Sequence, residues 1–167
     1  DSLWYERVDE LSCLAESPLR TARGPIGRVA AILAVHQMGI PCDIEAIARL
    51  AREHGLPWVE DAACAIGSEW QGERIGRPRG DVACFSFHPR KIITTGDGGM
   101  IVTNRGDIDE ACRRWRQHGM VPATPNSLFE TYACTAYNYR LTDIQAAIGL
   151  VQLGRLAEIV ERRRERV

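Results

Sequence analysis

Of the 21 lysines and arginines in this 167-residue chain, one is a lysine, Lys91, and all the others are arginine. Arginine supplies charge and hydrogen bonds as well as lysine does, but its guanidinium stays charged at any ordinary pH. It does not lose a proton and attack a carbonyl to form an imine, whereas a desolvated lysine does. The competing reading is a surface lysine left by drift, so the neighbours of Lys91 have to decide. Asp61 ends the short strand-like stretch P-W-V-E-D, and Ser86 lies near the end of V-A-C-F-S-F. Lys91 comes five residues beyond Ser86 in a polar turn, ahead of Gly96-Asp97-Gly98-Gly99. That glycine run lets backbone pass close to a ligand or to the lysine itself.

A primary amine, a carboxylate and a hydroxyl at the ends of strands suit one kind of cofactor. Pyridoxal phosphate needs an amine for its aldehyde, a carboxylate to keep its ring nitrogen protonated, and donors for its phosphate. Lys91, Asp61 and Ser86 supply one each. Taken singly, Asp61 could cap the segment after it and Ser86 could be a satisfied strand hydroxyl.

The elements that would hold these residues alternate between strand and helix. Val29–Val35 is a continuous apolar run, expected as a strand covered on both faces. Asp43 is the expected N-cap of a helix with Ile44, Ile47, Ala48 and Ala51 on one face and Gly55 at its end. Pro57 to Glu60 starts a second strand ending at Asp61, which completes a strand–helix–strand unit of a parallel sheet. Gln71-Gly72 predicts a small hairpin, and Val82–Phe87 and Gly99–Thr103 predict two strands around the lysine turn. Asp107 is expected to cap a helix with Ile108, Cys112 and Trp115 inward and Gly119 at its end. Residues 120–137 read as an extended loop. Thr142 then caps a last long helix with Ile144, Ile148 and Val151 along one face and an Arg/Glu-rich end that leaves the domain. Leu3 to Ala15 reads as a short amphipathic helix before a loop. In an open α/β sheet ligands sit at the carboxyl ends of strands, which is where the three residues fall.

Composition removes several function classes. A hydrophobic fraction of 45%, a charged fraction of 26% and a net charge of −1 describe a soluble domain with no bulk attraction for nucleic acid or an anionic membrane. No apolar run reaches the length of a bilayer span. The six cysteines are spread singly, without a CxxC pair or zinc spacing. That predicts reduced thiols, a cytoplasmic location and no metal. Arg162 to Arg166 alternates with glutamates and reads as a solvated helix face.

Several stretches carry a more specific signal: V-E-D-A-A, C-F-S-F-H-P-R-K-I-I-T-T-G-D-G-G-M-I-V-T-N, Q-H-G-M and Y-N-Y-R-L-T-D-I-Q-A-A-I-G-L-V-Q-L. In that order they resemble the DegT/DnrJ-type nucleotide-sugar aminotransferases, and A-V-H-Q-M-G-I-P-C-D-I-E-A-I upstream resembles the same family. The resemblance runs from about Val29 to the C-terminus. It implies an aspartate-aminotransferase-like (fold type I) large domain in truncated form, with a mixed, mostly parallel sheet flanked by helices. Residues 1–25 would be an N-terminal segment. Residues 26–167 would be part of the pyridoxal-phosphate-binding domain, ending in a helix that leads to a small domain.

The resemblance further implies that Lys91 forms the imine with the cofactor and shuttles protons, that Asp61 partners the ring nitrogen, and that Ser86 binds the phosphate. Asn138 resembles an asparagine that reaches the neighbouring subunit's phosphate across a dimer interface, and His88 and Arg140 lie in the same motifs as candidate substrate contacts. Cys64 stands where the family has Gln or His against the cofactor's phenolic oxygen, and a thiol is a weak donor. Family members are more than twice as long, with a front segment holding a phosphate turn and a stacking aromatic, and a C-terminal small domain. The implied reaction moves an amino group, with glutamate as donor, to a keto group of a nucleotide-linked sugar. The cofactor would alternate between pyridoxal and pyridoxamine forms in a homodimer with a shared site. Lys91 argues against the dehydratase branch, which carries histidine there. The alternative is an inactive truncated remnant that serves only as an assembly or regulatory module.

Overall fold

The computed structural model describes residues 29–121 and 129–166. The expected helix over Leu3–Ala15 lies outside them. A four-stranded sheet in the order β1-β2-β5-β6 organises the chain. It is built from β1 (Ile32–Val35), β2 (Trp58–Asp61), β5 (Val82–Ser86) and β6 (Gly99–Val102). β1, β2 and β5 run parallel, whereas β6 returns antiparallel to β5. The sheet is mixed and mostly parallel, as expected.

One side of the sheet makes the core. Helix α1 (Ile44–His54) starts at Asp43, whose carboxylate accepts from the Ala46 amide, and ends at left-handed Gly55. Ile44 and Ala51 are buried with Ala34, Trp58, Ala62, Ala65 and Ile75, and Ile47, Ala48, Trp70 and Phe85 pack against them. The expected inward face of α1 is the observed one. The Gln71-Gly72 hairpin is present between β3 (Glu69–Trp70) and β4 (Glu73–Arg74). Both turn residues have positive φ, the geometry that matches strand twist in a two-residue hairpin.

The other side of the sheet is open. β1 alternates, with Ala34 buried and Leu33 and Val35 exposed, so it is covered on one face rather than two. It is also an edge strand, and among the described residues no helix lies over Leu33 and Val35. Met100 and Ile101 on the opposite edge are exposed as well.

The later helices depart further from expectation. Helix α2 (Gly106–Trp115) begins after Arg105, and Asp107 makes no cap. Its carboxylate is held by the Arg105 guanidinium instead. Gly119 lies beyond the helix end, and Trp115 is exposed because no described element packs on it. The expected loop over 120–137 contains a strand pair, β7 (Met120–Val121) with β8 (Thr131–Tyr132). Thr142 does cap α3 (Asp143–Gly154), in a reciprocal box with Gln145. The predicted single helix breaks at Arg155, after which α4 (Leu156–Arg164) begins. Ile144, Ile148 and Val151 are exposed rather than buried. Leu156, at the start of α4, is buried, and the Arg/Glu-rich residues 161–166 that follow are exposed.

Candidate active site

Successive strand residues face opposite sides of a sheet, so pairing register decides which side chains share a face. Asp61, the last residue of β2, pairs with Val35 and Cys84, and Cys84 pairs with Ile101. These side chains therefore lie on the open face. Ser86, two residues beyond Cys84 and last in β5, shares it. Asp61 and Ser86 thus stand at the carboxyl ends of two adjacent parallel strands, pointing away from the packed core. The Oδ1 of Asp61 accepts from the Ala63 amide at 3.0 Å, which orients the carboxylate as the chain turns over fully buried Ala62 and Ala65.

The loop joining β5 to β6 is pinned at its base. The Phe87 amide donates to the Gly98 carbonyl at 2.8 Å, and the Thr95 amide donates to the Phe87 carbonyl at 3.1 Å. Gly98 has φ +146, and a Cβ there would come to 2.7 Å from the Thr95 hydroxyl oxygen. Glycine is needed at that position. Within the loop the Ser86 hydroxyl accepts from the His88 amide at 3.3 Å, and His88 Nδ1 accepts from the Arg90 amide at 3.2 Å. The Lys91 amide donates back to the His88 carbonyl at 2.9 Å. This tight turn delivers the Lys91 side chain across to the β2 turn, where Nζ donates to Cys64 Sγ at 3.1 Å.

Cys64, Ser86, His88 and Lys91 line one open cleft of about 720 Å³, together with Met38, Arg90, Asp97 and Arg163 among others. Asp61 sits at the neighbouring strand end on the same face of the sheet. Asn138 and Arg140 are not among the residues lining this cleft. They lie between β8 and α3, where Asn138 bridges to Gln117 and the Arg140 guanidinium donates to the Gln117 side chain at 2.9 Å. Beneath the site, burial pushes the Cys84 thiol up, and the Asp61 charge beside it acts in the same direction. Among the described residues no group of three or more His, Cys, Asp or Glu is placed to hold a metal ion. Nor, among them, is any helix long and apolar enough to cross a membrane.

Residues 20–167 match the DegT/DnrJ/EryC1/StrS aminotransferase family. The chain belongs to this family. It is 47% identical over 131 residues to a GDP-perosamine synthase of Caulobacter vibrioides, a stretch that covers 78% of this chain and 34% of that protein. Among solved structures it resembles the aminotransferase TlmJ from Streptoalloteichus hindustanus, with a TM-score of 0.75 and 39% identity over 87% of this chain and 38% of that one. It also resembles Helicobacter pylori PseC, an aminotransferase involved in the biosynthesis of pseudoaminic acid. That match has a TM-score of 0.74 and 33% identity over 80% of this chain and 35% of PseC. The chain therefore spans about a third of the length of these relatives, and its fold is part of a fold type I large domain.

Two features of the site escaped the sequence reading. The first is a fully buried pair, His36 and Glu60. His36 Nδ1 accepts from the Cys42 amide at 3.2 Å, so its Nε2 carries the hydrogen that faces Glu60 at 3.2 Å. The other Glu60 oxygen accepts from the Arg79 and Gly80 amides, both at 3.0 Å. This network fixes the strand ends from below. Its signal was there to read: a period of two puts Glu60 on the same side as Trp58, so a carboxylate faced the core and needed partners. The second is Arg163, which is solvent-exposed as the alternation with glutamate predicts but also borders the cleft.

Proposed function

We propose that the protein carrying this segment is a pyridoxal-phosphate-dependent aminotransferase that moves an amino group, with glutamate as donor, to a keto group of a nucleotide-linked sugar. The observation that carries the reading is the convergence of the sole lysine, Lys91, with Ser86 and Cys64 in one cleft, beside a strand end bearing Asp61. Family membership and the two named aminotransferase structures support it.

The residues present fit the cofactor. When bound, pyridoxal phosphate supplies an electron sink that weakens bonds at the amino-bearing carbon. Lys91 is the residue that would hold the cofactor's aldehyde end, and its Nζ would serve as the base that carries a proton during amino transfer. Asp61, with one oxygen taken by the Ala63 amide, keeps its other oxygen for the ring N–H. Ser86 would take the phosphate, and Cys64 would neighbour the phenolic oxygen. His88 stands at the substrate side of the loop. In a homodimer Asn138 and Arg140 serve the neighbouring cleft, which accounts for their position outside their own. The same reading makes residues 26–167 part of a large domain and places the protein in the cytoplasm, in keeping with its dispersed, free cysteines. The retained Lys91, Asp61 and Ser86 disfavour an inactive remnant.

The test is a visible spectrum of the chain with pyridoxal phosphate, followed by borohydride reduction and peptide mapping. The expected outcome is a band lost in Lys91→Ala and a reduced adduct on the peptide containing Lys91. A band of equal strength in Lys91→Ala, or no band in the native chain, overturns the reading for this segment.

A further inference from the structure

Helix α4 places one arginine differently from its neighbours. Leu156, Val160 and Arg163 are spaced i, i+4 and i+7, which puts them on one face of the helix. The first two dock that face on the turn after β2. Leu156 is 5% exposed, and a Cβ built on Gly67 would come to 2.9 Å from Val160 Cγ2 and 3.6 Å from Leu156 Cδ1. The third, Arg163, is thereby carried to the rim of the cleft that holds Lys91. Its neighbours point elsewhere and are occupied, Arg162 with Glu158 at 3.2 Å and Arg164 with Glu161 at 3.9 Å. The Arg163 guanidinium, by contrast, is seen in no hydrogen bond or ion pair with the described residues, although its carbonyl accepts from the Arg166 amide at 3.1 Å.

The cleft it joins is poor in negative charge. Its lining includes Arg90, Lys91 and His88, against one carboxylate, Asp97. The Asp97 carboxylate already accepts from the Gly98 amide at 2.9 Å. A guanidinium keeps its charge at all ordinary pH and presents a planar fork that matches the two oxygens of a carboxylate or phosphate. Ser86, the residue read as the cofactor phosphate's, ends β5, whereas Arg163 reaches the same cleft from α4.

We propose that Arg163 is a specificity residue that receives an anionic oxygen group of the substrate, a carboxylate of the amino donor or a phosphate of the nucleotide-linked sugar. This rests on the reading of the cleft as the amino-transfer site. The two substrates share the chemistry that would engage the guanidinium, and separate probes tell them apart.

The experiment measures calorimetric binding of glutarate, guanosine diphosphate and pyridoxal phosphate to the native chain, Arg163→Gln and Arg162→Gln. Arg162→Gln removes the same charge from the same helix but on a face already paired with Glu158. The expected result is a roughly tenfold weaker affinity of Arg163→Gln for glutarate, for the diphosphate, or for both, with Arg162→Gln unchanged. Loss for glutarate alone assigns the donor carboxylate, and loss for the diphosphate alone assigns the sugar nucleotide. Equal weakening in both variants would mean bulk charge and overturns the proposal. So does loss confined to pyridoxal phosphate, or absence of glutarate and diphosphate binding by the native chain. Glutarate and diphosphate are titrated without cofactor. A missing Lys91-dependent band therefore removes the earlier reading while these titrations still decide this one.

Discussion

Lys91 Nζ and Cys64 Sγ meet at 3.1 Å, an amine and a thiol from two different turns sharing one cleft. A ligand that engages the amine must displace or cover the sulfur. Cys64 is exposed, whereas burial pushes the thiols of Cys42, Cys84 and Cys112 up and slows their attack on alkylating reagents. Iodoacetamide at pH 8 is therefore expected to label Cys64 before those three, with pyridoxal phosphate slowing Cys64 alone by about tenfold. Peptide mapping by mass spectrometry reads both. Equal protection of Cys84 by the cofactor would show that the effect is global tightening and not occupancy of the cleft.

Glu60 is buried with three donors on its carboxylate, so removing it strands His36 and two backbone amides. Glu60→Ala is expected to cost about 3–5 kcal/mol in urea denaturation. Glu60→Gln keeps an acceptor oxygen and should lose less. Glu53, in an exposed pair with Arg49 at 3.9 Å, provides the contrast, and its alanine variant should stay within about 0.5 kcal/mol of the native chain. Similar losses at the two positions would contradict the role given to burial.

Stability should also report on Asp81. Its carboxylate accepts from the Arg105 guanidinium at 2.7 Å and the Trp58 amide at 3.0 Å, and the guanidinium foremost holds it below the ordinary carboxylate range. A carboxyl whose folded value is depressed adds stability above its unfolded value, about pH 4, and loses it as pH falls through the folded value. Asp81→Asn should then be less stable than the native chain at pH 7, by about 1 kcal/mol for the weakened bonds. The gap should hold constant from pH 8 to 5 and close only in acid. A gap that narrows between pH 8 and 6 would point to some other group.

Gly67 and Gly72 separate backbone strain from helix docking. Both have positive φ, +84 and +79, but a Cβ meets Val160 at the first and open space at the second. Alanine at either costs about 1–3 kcal/mol in strain. Gly67→Ala should in addition speed amide exchange along α4, which Gly72→Ala leaves alone. Identical exchange in the two variants would mean that α4 is not held through this contact.

Much of the frame was legible because it depends on local rules. Gly55 and Thr142 act at helix ends through their own backbone or hydroxyl, and Gln71-Gly72 turns through its own dihedrals. What the sequence did not show depends on the partner of each surface. Trp115, Ile144, Ile148 and Val151 have the spacing of buried faces, yet burial requires a second surface that no described residue provides. Arg163 is exposed as expected, yet its place beside the cleft was not legible. Charge alternation describes the sides of α4 that pair with glutamate, but the break at Arg155 and the docking of Leu156 decide which exposed arginine borders the cleft. The site followed the same division: Lys91, Ser86 and Asp61 were marked by residue type at strand ends, whereas contact between Lys91 and Cys64 needed two turns to meet.

The antiparallel return of β6 along β5 makes this pairing local in sequence. The two strands and residues 87–98 between them form one local unit, with Ser86 and Gly99 paired at the neck of the loop. Hairpins of this kind close on the microsecond scale, ahead of parallel pairings that must wait for a crossover. Asp61 reaches its place only through such pairings, to β1 on one side and β5 on the other. Local closure of this unit would favour presenting the amine and hydroxyl before the carboxylate.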